Sequence, residues 1–295
     1  MWVLIDWGTS RFRLWSVSNG RANLEHSSDN GVGQLQPKAR QIAFLIETIE
    51  KLDEKPDFIF AFGMVGSSLG PFQTRFLETP ASITEVLSQS QSFELSMKQG
   101  QSLPIFVTPG LKTSDHPPDV MRGEELQALS LDLSDGVVLC PGTHSKHITL
   151  EANQIVGFST FMTGELFQAI RKLTSLSPFF GSASKKLEPD WFNRGVELAD
   201  GTFSQALFAI RRWGLSLENF EGADELLSGL LIGSELNQLT ITSSNMRVVL
   251  IGEDMLAERY QSIFRKRGIS FDSVSNERAI ERIADRIEGW MNNYA

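Results

Sequence analysis

The sequence is poor in cysteine, histidine and tyrosine. Its 295 residues include one cysteine, four histidines and two tyrosines. A single cysteine excludes an intrachain disulfide and a CxxC metal or redox site. Cys140 lies in the apolar run Val137–Cys140, so we expect it to pack as a small buried residue. The histidines lack the spacing of zinc ligands, which leaves a zinc site without support.

Long apolar runs and blocks of positive charge are also absent. No apolar run approaches the ~20 residues that span a bilayer, and the first residues lack the basic and apolar regions of a signal peptide. The net charge is −9, which argues against an anionic membrane or a nucleic-acid backbone as the main partner. We therefore expect a cytoplasmic protein without membrane or nucleic-acid partners. A small anionic substrate is still compatible with this charge, because a pocket needs only local positive charge.

The common nucleotide-binding signatures are missing as well. The sequence contains neither GxxxxGK[ST] nor GxGxxG. Its hydrophobic content of 41% and charged content of 21% are ordinary for a globular protein. The length is sufficient for two domains or one large domain with a substantial core.

A hairpin with an aspartate at the end of its first strand is predicted at the start of the chain, over residues 3–15. Two runs with a period of two flank the turn Gly8–Ser10, and Asp6 ends the first run. The amides and hydroxyls of Gly8, Thr9 and Ser10 suit phosphate oxygens. Asp6 suits a hydrated Mg²⁺, which prefers carboxylate, water and phosphate oxygen. The alternative is an ordinary hairpin with an aspartate in its turn.

A second turn of the same kind is predicted at 141–146. The buried strand 137–140 leads into Pro-Gly-Thr-His-Ser-Lys, and a further strand follows at 147–150. Two such turns suit the two sides of a phosphate chain, with Lys146 offsetting its charge. For His144 we expect a hydrogen-bonding role rather than metal ligation.

Two motifs between these turns each allow a functional and a structural interpretation. The apolar strand 58–62 ends at Gly63-Met64-Val65-Gly66-Ser67, which is either a ligand loop or a plain strand-to-helix connection. Gly123 precedes Glu124 and Glu125 at the start of a predicted helix. These acids either complement the helix dipole or point a carboxylate into a cleft.

The rest of the chain alternates between helical and strand patterns. Thr163 is a candidate N-cap, with Glu165 in the first turn. Glycines four apart in the predicted helix 224–238 permit a close helix crossing, which suits an interdomain hinge. Gly252 ends a strand, where a purine or a generic turn fits equally. In residues 69–115 the sequence pattern predicts no secondary structure beyond a strand at 103–107. The predicted helices are 37–52, a helix from 163, 191–199, 203–213, 224–238, 255–267 and a helix from 277.

In this order the motifs resemble the superfamily of acetate and sugar kinases, actin and the heat-shock chaperone ATPases. Within it the chain is similar to the 2-dehydro-3-deoxygalactonokinase family. The similar segments are IDWGTSRFRLW at 5–15, GMVGS at 63–67, PDVMRGEELQ at 118–127, LCPGTHSK at 139–146, TFMTGELF at 160–167 and SGLLIGSE at 228–235. The chain departs from the family pattern at 70–76, where GPFQTRF replaces an expected Trp, acid and Pro-Tyr pair. The adenosine motif also departs from the pattern, because it has one glycine, Gly252, where many members of the superfamily have two or more.

The resemblance implies an α/β, two-lobed actin-like ATPase (ribonuclease H-like) fold, with a mixed sheet flanked by helices in each lobe. The implied N-terminal lobe is 1–118 and the C-terminal lobe 119–295, with the last helix as a segment that can return to the N-terminal lobe. The implied reaction transfers the ATP γ-phosphoryl group to the terminal hydroxyl of a 2-keto-3-deoxy sugar acid, with Mg²⁺. The resemblance allows a homodimer and leaves the oligomeric state open.

The resemblance also implies roles for individual residues. Glu124, or secondarily Glu125, is the general base, and Asp6 positions Mg²⁺. Gly252 contacts adenosine. The implied ATP-phosphate residues are Gly8, Thr9, Ser10, Arg11, Gly142, Thr143, His144 and Lys146. The implied substrate residues are Gly63, Met64, Ser67, Arg122 and Glu165. The unranked candidates for the substrate carboxylate are Arg13, Arg75 and Arg122.

Two other functions fit the same fold. One is a phosphatase that acts on polyphosphate or nucleotides, which would favour a larger basic channel than the charge of −9 suggests. The other is an actin-like assembly or sensor module that binds nucleotide without catalysis.

Overall fold

The computed structural model describes residues 1–98, 100–181, 189–217, 220–240, 246–252 and 254–294. The chain folds into two compact units. The first comprises Met1–Asp135, Ile148–Phe158 and Asn276–Ala295, and the second comprises Gly136–His147 and Ser159–Ser275. The lobe boundary expected after residue 118 falls inside the first unit, and the division into lobes stays a prediction.

The described residues form the following helices and strands in chain order. The strands are β1 Trp2–Trp7, β2 Phe12–Ser18, β3 Arg21–Ser28, β4 Ile59–Gly63, β5 Phe76–Glu78, β6 Ala81–Ser82, β7 Gln91–Ser96, β8 Ser102–Val107, β9 Gly110–Lys112, β10 Val120–Met121, β11 Gly136–Cys140, β12 Ser145–Glu151, β13 Gln154–Phe161, β14 Arg247–Ile251 and β15 Asp272–Val274. The helices are α1 Lys38–Ile49, α2 Ile83–Ser88, α3 Glu124–Leu129, α4 Thr163–Leu173, α5 Pro189–Leu198, α6 Phe203–Leu207, α7 Ala209–Ser216, α8 Ala223–Leu236, α9 Met255–Arg267 and α10 Asn276–Tyr294.

The first unit is built on a mixed sheet with the order β3-β2-β1-β4-β8-β7. Strand β1 pairs antiparallel with β2 and parallel with β4. The central strands are buried on both faces, which explains why 58–62 is a continuous apolar run. The apolar stripe of α1 packs on one face through Leu45 and Ile49, in a core that includes Val3 and Ile5 of β1. The hairpin predicted at 3–15 is confirmed.

The register of β1 and β4 brings two strand ends together. Asp6 pairs with Phe62 across the parallel ladder, and Trp7 pairs with Gly63. In a parallel sheet, ligands bind beyond the carboxyl ends of the strands. This register therefore places the Asp6 side chain beside the loop that follows β4.

The segment 69–115 contains most of the elements that the sequence did not predict. It forms β5, β6, α2, β7 and β9, and the only strand predicted there was 103–107, which is confirmed as part of β8. Strands of two to six residues offer too few alternations for a pattern to be read. Their partners are also distant in sequence: β5 pairs with β9, and β6 pairs with β13.

The second unit has a sheet with β15, β14 and β11 in parallel pairing, followed by β12 and β13 in the strand order. Of the last two strands, residues 145–147 and 159–161 belong to this unit. Helices α5, α8 and α9 cover the sheet with an apolar core that includes Phe192, Ile232 and Phe264. The predicted α/β class is therefore confirmed, with helices packed on a sheet in each unit.

Glycines allow α5 and α8 to pack at close range. A Cβ at Gly229 would lie 2.1 Å from the Phe192 carbonyl oxygen, and one at Gly195 would lie 2.2 Å from the Leu226 carbonyl oxygen. A side chain at either position would push the two backbones apart. The close crossing predicted for this helix is confirmed inside the second unit, and its role as an interdomain hinge stays a prediction.

The predicted N-cap of α4 is wrong. The N-cap position is Met162, which makes no side-chain cap bond, and Thr163 is the first helical residue. The Thr163 hydroxyl donates to the Glu235 carboxylate instead. The Thr163 side chain therefore binds a buried carboxylate on α8. Among the residues that the structure describes, no helix has the length and apolar character required to cross a membrane.

Candidate active site

Asp6 lies at the end of β1 and is paired with Arg13 on β2. The two residues face each other in the antiparallel register, and Arg13 Nη2 donates to Asp6 Oδ2 over 2.5 Å. The Asp6 side chain is only 13% exposed. Burial raises the pKa of Asp6, and the Arg13 charge opposes that effect in part. The pair therefore holds a carboxylate at the strand end, where a ligand in an α/β fold is expected.

Two glycines with positive φ connect Asp6 to the start of α3. Gly63 has φ +90° and Gly123 has φ +114°, a region that side-chain-bearing residues rarely adopt. A Cβ at Gly63 would lie 3.3 Å from Asp6 Oδ1, and one at Gly123 would lie 3.3 Å from Gly63 Cα. The backbone of the α3 start thus packs on the end of β4. Asp6, Gly63 and Glu124 consequently share one region of the first unit.

The two glutamates at the α3 start have different environments. Glu125 is fully buried, and its Oε2 accepts a 2.7 Å hydrogen bond from the Gly123 amide. Its Oε1 is buried without a hydrogen-bond partner among the described residues. Burial, and then the charge of Glu124, raises the pKa of Glu125 to about 8. Glu125 is therefore mainly protonated at neutral pH and has no surface for a ligand.

Glu124 is half-buried rather than fully enclosed. A general base must be ionised and must reach the proton that it accepts. Of the two acids, Glu124 meets the access requirement and Glu125 does not. The family resemblance implied Glu124 as the first choice and Glu125 as the second, and this difference in burial favours the same order.

The first glycine turn is closed by its own backbone. The Gly8 amide donates to the Arg11 carbonyl over 2.9 Å, so this amide is used inside the turn. Thr9, Ser10 and Arg11 are exposed, and Arg11 lies 3.9 Å from Asp29. The side chains at the tip of the turn thus remain accessible to a ligand. Their predicted contact with phosphate stays a prediction.

The loop at 31–33 supports this turn and was missed as a site element. The Val32 amide donates to the Gly8 carbonyl, and the Gly33 amide donates to the Thr9 carbonyl, both over 3.0 Å. A Cβ at Gly31 would lie 2.2 Å from the Thr9 carbonyl oxygen. The Gly-Val-Gly triplet was the available signal, because close packing of two backbones requires glycine.

The second glycine turn lies in the second unit and packs on the start of α4. A Cβ at Gly164 would lie 2.4 Å from the Gly142 carbonyl oxygen and 2.8 Å from Thr143 Cα. The Glu165 amide donates to the Thr143 carbonyl over 3.0 Å. The helix start therefore sets the position of the turn.

Three side chains at this turn have defined environments. His144 Nε2 lies 2.5 Å from Glu165 Oε2, so the residue predicted for substrate contacts one predicted for phosphate. The two side chains are partly exposed, at 42% for His144 and 49% for Glu165. Lys146 is only 4% exposed, so its side chain lies inside the protein rather than at the tip of the turn. The binding roles of these three residues stay predictions.

Arg122 binds the loop in which the chain departs from the family pattern. Its guanidinium donates to Thr74 Oγ1 over 2.7 Å and to the Thr74 carbonyl over 2.8 Å. It also lies over the Phe76 ring, 4.1 Å from the ring centre. Burial lowers the pKa of Arg122. Arg122 thus holds the segment 74–76 in place.

These contacts separate the three arginines that the sequence left unranked. Arg13 pairs with Asp6, and Arg122 is committed to Thr74. Arg75 is exposed and forms no ion pair within the described part of the chain. Of the three guanidinium groups, that of Arg75 is the one that binds no protein group among the described residues.

The loop after β4 uses its polar groups locally. The Ser67 hydroxyl donates to the Met64 carbonyl over 2.8 Å and accepts from the Leu69 and Gly70 amides at 3.2 Å. Ser67 is buried, and Met64 is half-buried. The hydroxyl of Ser67 therefore shapes this loop. Substrate contacts by Met64 and Ser67 stay predictions.

Gly252 ends β14 in a conformation that favours glycine. Its φ is +135°, and its amide donates to the Val274 carbonyl over 2.9 Å. The next described residue, Asp254, caps α9 by accepting from the Leu256 and Ala257 amides. The glycine is thus explained by the backbone alone, and its predicted contact with adenosine stays a prediction.

Comparison with known proteins gives consistent results along nearly the whole chain. A family model described as 2-keto-3-deoxy-galactonokinase matches residues 6–284. A relative from Rhizobium meliloti, described as a probable 2-dehydro-3-deoxygalactonokinase, is 31% identical over 95% of this chain and 94% of its own length. The 2-dehydro-3-deoxygalactonokinase of Escherichia coli is 29% identical, with the same coverage of 95% and 94%.

A solved structure is similar over the full length. It is the crystal structure of a protein from Sinorhizobium meliloti that is described as a candidate 2-dehydro-3-deoxygalactonokinase. It superposes with a TM-score of 0.80 at 28% identity, and covers 100% of this chain and 99% of its own.

Proposed function

Because this chain belongs to the 2-keto-3-deoxy-galactonokinase family, we propose that its acceptor is the terminal hydroxyl of 2-dehydro-3-deoxy-D-galactonate. The enzyme is an ATP-dependent kinase, as the sequence predicted, and the product of this transfer is the 6-phosphate. The resemblance that the sequence suggested is confirmed by the family match. The alternative functions, a phosphatase and a non-catalytic module, gain no support from this family membership.

One observation supports placing the chemistry in the first unit. Gly63 and Gly123 pack so closely that they bring the α3 start to the end of β1, where Asp6 lies. Phosphoryl transfer from ATP to an alcohol needs an acid that orients the hydroxyl and a metal-binding carboxylate near the phosphates. The close backbone packing supplies both acids in one region of the fold.

In the proposed mechanism, Glu124 accepts the proton of the acceptor hydroxyl. The hydroxyl oxygen forms a bond to the γ-phosphorus while the bond to the leaving oxygen of ADP breaks. Proton transfer comes late, because an alcohol is far less acidic than a carboxylic acid until the phosphorus–oxygen bond forms. Glu125 stays protonated and fixes the Gly123 amide, which sets the position of Glu124.

The residues around Asp6 fit a hydrated Mg²⁺. Arg13 engages Oδ2, and Oδ1 accepts no hydrogen bond from the described residues, so Oδ1 is the fitting ligand atom. No group of three or more candidate metal ligands exists among the described residues. A single carboxylate is sufficient because Mg²⁺ keeps several waters and takes phosphate oxygens as further ligands. Mg²⁺ would neutralise charge on the phosphates.

Phosphate and carboxylate binding are assigned to the exposed polar groups. In each unit taken by itself, the exposed hydroxyls are the proposed phosphate donors: Thr9 and Ser10 in the first unit, and Thr143 in the second. Arg75 binds the carboxylate of the sugar acid, since it is exposed and is not engaged in an ion pair among the described residues. The predicted homodimer and the predicted cytoplasmic location stay predictions.

The test is ADP release by the purified protein with ATP and Mg²⁺ over a panel of sugar acids. We expect release that depends on 2-dehydro-3-deoxy-D-galactonate, and a product whose ³¹P NMR spectrum shows a phosphomonoester coupled to the C6 protons. Aldoses without a carboxylate serve as the control. Equal ADP release with and without any sugar acid would indicate hydrolysis and would overturn the proposal.

A further inference from the structure

A buried polar network joins α8 to the second glycine turn. Glu235 on α8 is 3% exposed and accepts hydrogen bonds from three elements. His147 of β12 donates to Oε1 over 3.0 Å, and Tyr260 of α9 donates to Oε2 over 2.7 Å. Thr163 at the start of α4 also donates to Oε2. The three donors satisfy a carboxylate that would otherwise be costly to bury.

The network continues from Tyr260 to the turn. The Tyr260 hydroxyl lies 3.1 Å from Ser145 Oγ, and Ser145 Oγ lies 3.4 Å from the Gly142 amide nitrogen. Burial and the Glu235 charge raise the pKa of Tyr260, so the phenol keeps its proton. The Tyr260 hydroxyl donates its hydrogen bond to Glu235. Ser145 must therefore donate to Tyr260, and it accepts from the Gly142 amide. The donors thus run in one direction, from the turn amide to the carboxylate.

None of the central residues can touch a ligand directly. Tyr260 and Ser145 are no more than 1% exposed, and Glu235 is 3% exposed. Their hydroxyl and carboxylate groups form hydrogen bonds with other groups of the protein. Any effect on a bound nucleotide must therefore pass through the shape of the turn at 141–146.

A neighbouring pair on the same two helices provides a comparison. Glu225 of α8 is also buried, and it forms an ion pair with Arg259 of α9, with a second contact of 3.2 Å. The pair links the same helices, yet neither side chain forms a hydrogen bond or ion pair with the second glycine turn, all of whose residues the structure describes. Loss of Glu225 thus reports the cost of disturbing the α8–α9 packing alone.

We propose that Glu235 and Tyr260 are positioning residues, which hold the second glycine turn in the conformation that binds the phosphates of ATP. This inference rests on the proposed function in one respect: the turn at 141–146 is taken as a phosphate-binding turn. Tyr260→Phe removes the hydroxyl that links Ser145 to Glu235, and Glu235→Gln replaces one of the two accepting carboxylate oxygens by an amide group that only donates. A loss of one such buried link corresponds to roughly a 10-fold change in an equilibrium.

The experiment compares Glu235→Gln and Tyr260→Phe with the matched control Glu225→Gln. Titration calorimetry with ATP and Mg²⁺ measures nucleotide affinity without any sugar acid. We expect ~10-fold weaker ATP binding in the first two variants and less than ~2-fold in the control. Steady-state kinetics should show a raised KM for ATP with an unchanged KM for the sugar acid. Thermal unfolding of all three variants reports their stability.

The outcomes separate this inference from the proposed function. If wild type binds ATP but no sugar acid stimulates ADP release, the proposed acceptor is wrong while the affinity comparison still tests the positioning role. ATP affinities of Glu235→Gln and Tyr260→Phe that match Glu225→Gln would overturn the positioning role. Should Tyr260→Phe fail to fold, Ser145→Ala removes the same link at the turn, and an unchanged ATP affinity in that variant would also overturn it.

Discussion

Replacing Glu125 by glutamine should make the stability of the protein less dependent on pH. In the folded protein, burial and Glu124 raise the pKa of Glu125 from 4.5 to about 8. Between these pH values the folded state keeps a proton that the unfolded chain has lost. Protonation of Glu125 therefore stabilises the fold fully below pH 4.5, and this contribution is lost as the pH rises through 8. Glutamine keeps a carbonyl for the Gly123 amide but cannot ionise.

The size of the effect follows from the separation of the two pKa values. Each pH unit in that interval corresponds to about 1.4 kcal/mol. Between pH 5 and pH 8, wild type should thus lose roughly 3–4 kcal/mol of unfolding free energy that Glu125→Gln retains, because the slope is smaller near each of the two pKa values. Such a difference is a large part of the stability of an ordinary domain.

Urea unfolding of both proteins at pH 5, 6, 7 and 8, followed by circular dichroism, measures this difference. Glu124→Gln is the control, because it removes the neighbouring charge and should move the transition to lower pH. Parallel stability profiles for wild type and Glu125→Gln would refute the reasoning, since they would mean that Glu125 titrates in the folded state as it does in the unfolded chain.

Three further predictions concern the backbone contacts and the metal. Gly63→Ala forces φ +90° on a side-chain-bearing residue beside Asp6, so thermal unfolding should show a loss of about 1–3 kcal/mol and kcat should fall; an unchanged melting temperature contradicts this. Asp6→Asn should raise the Mg²⁺ concentration for half-maximal activity by ~10-fold, and an identical Mg²⁺ titration argues against its metal role. Gly164→Ala places a methyl group 2.4 Å from the Gly142 carbonyl and should weaken ATP binding in calorimetry, whereas wild-type affinity would show that the turn can shift without loss.

The sequence predicted well those elements whose pattern is local and long. The first hairpin and α9 have clear periodicity, and α9 was placed at 255–267, as observed. Between 69 and 115 the strands are short and are stabilised by distant partners, as when Arg122 binds Thr74. No window of sequence contains both members of such a contact, so the pattern is uninformative there.

The site could be predicted only in part, because it too depends on contacts between residues that are distant in sequence. Adjacent glutamates in a sequence look equivalent, and only the packing of α3 makes Glu125 buried while Glu124 stays half-buried. The SGLLIGSE segment at 228–235 was read for its glycines, which do pack closely. No role for Glu235 was predicted from this segment, because its partner His147 lies 88 residues away in the sequence.

Glu124, at the α3 start beside Asp6, is the proposed base in phosphoryl transfer. Comparing kcat of Glu124→Gln and Glu125→Gln with ATP, Mg²⁺ and 2-dehydro-3-deoxy-D-galactonate tests it most directly, with ATP affinity measured in parallel. We predict that Glu124→Gln loses ~10²-fold or more in kcat while it binds ATP normally, and that Glu125→Gln keeps most of its turnover. Wild-type turnover by Glu124→Gln would contradict the claim.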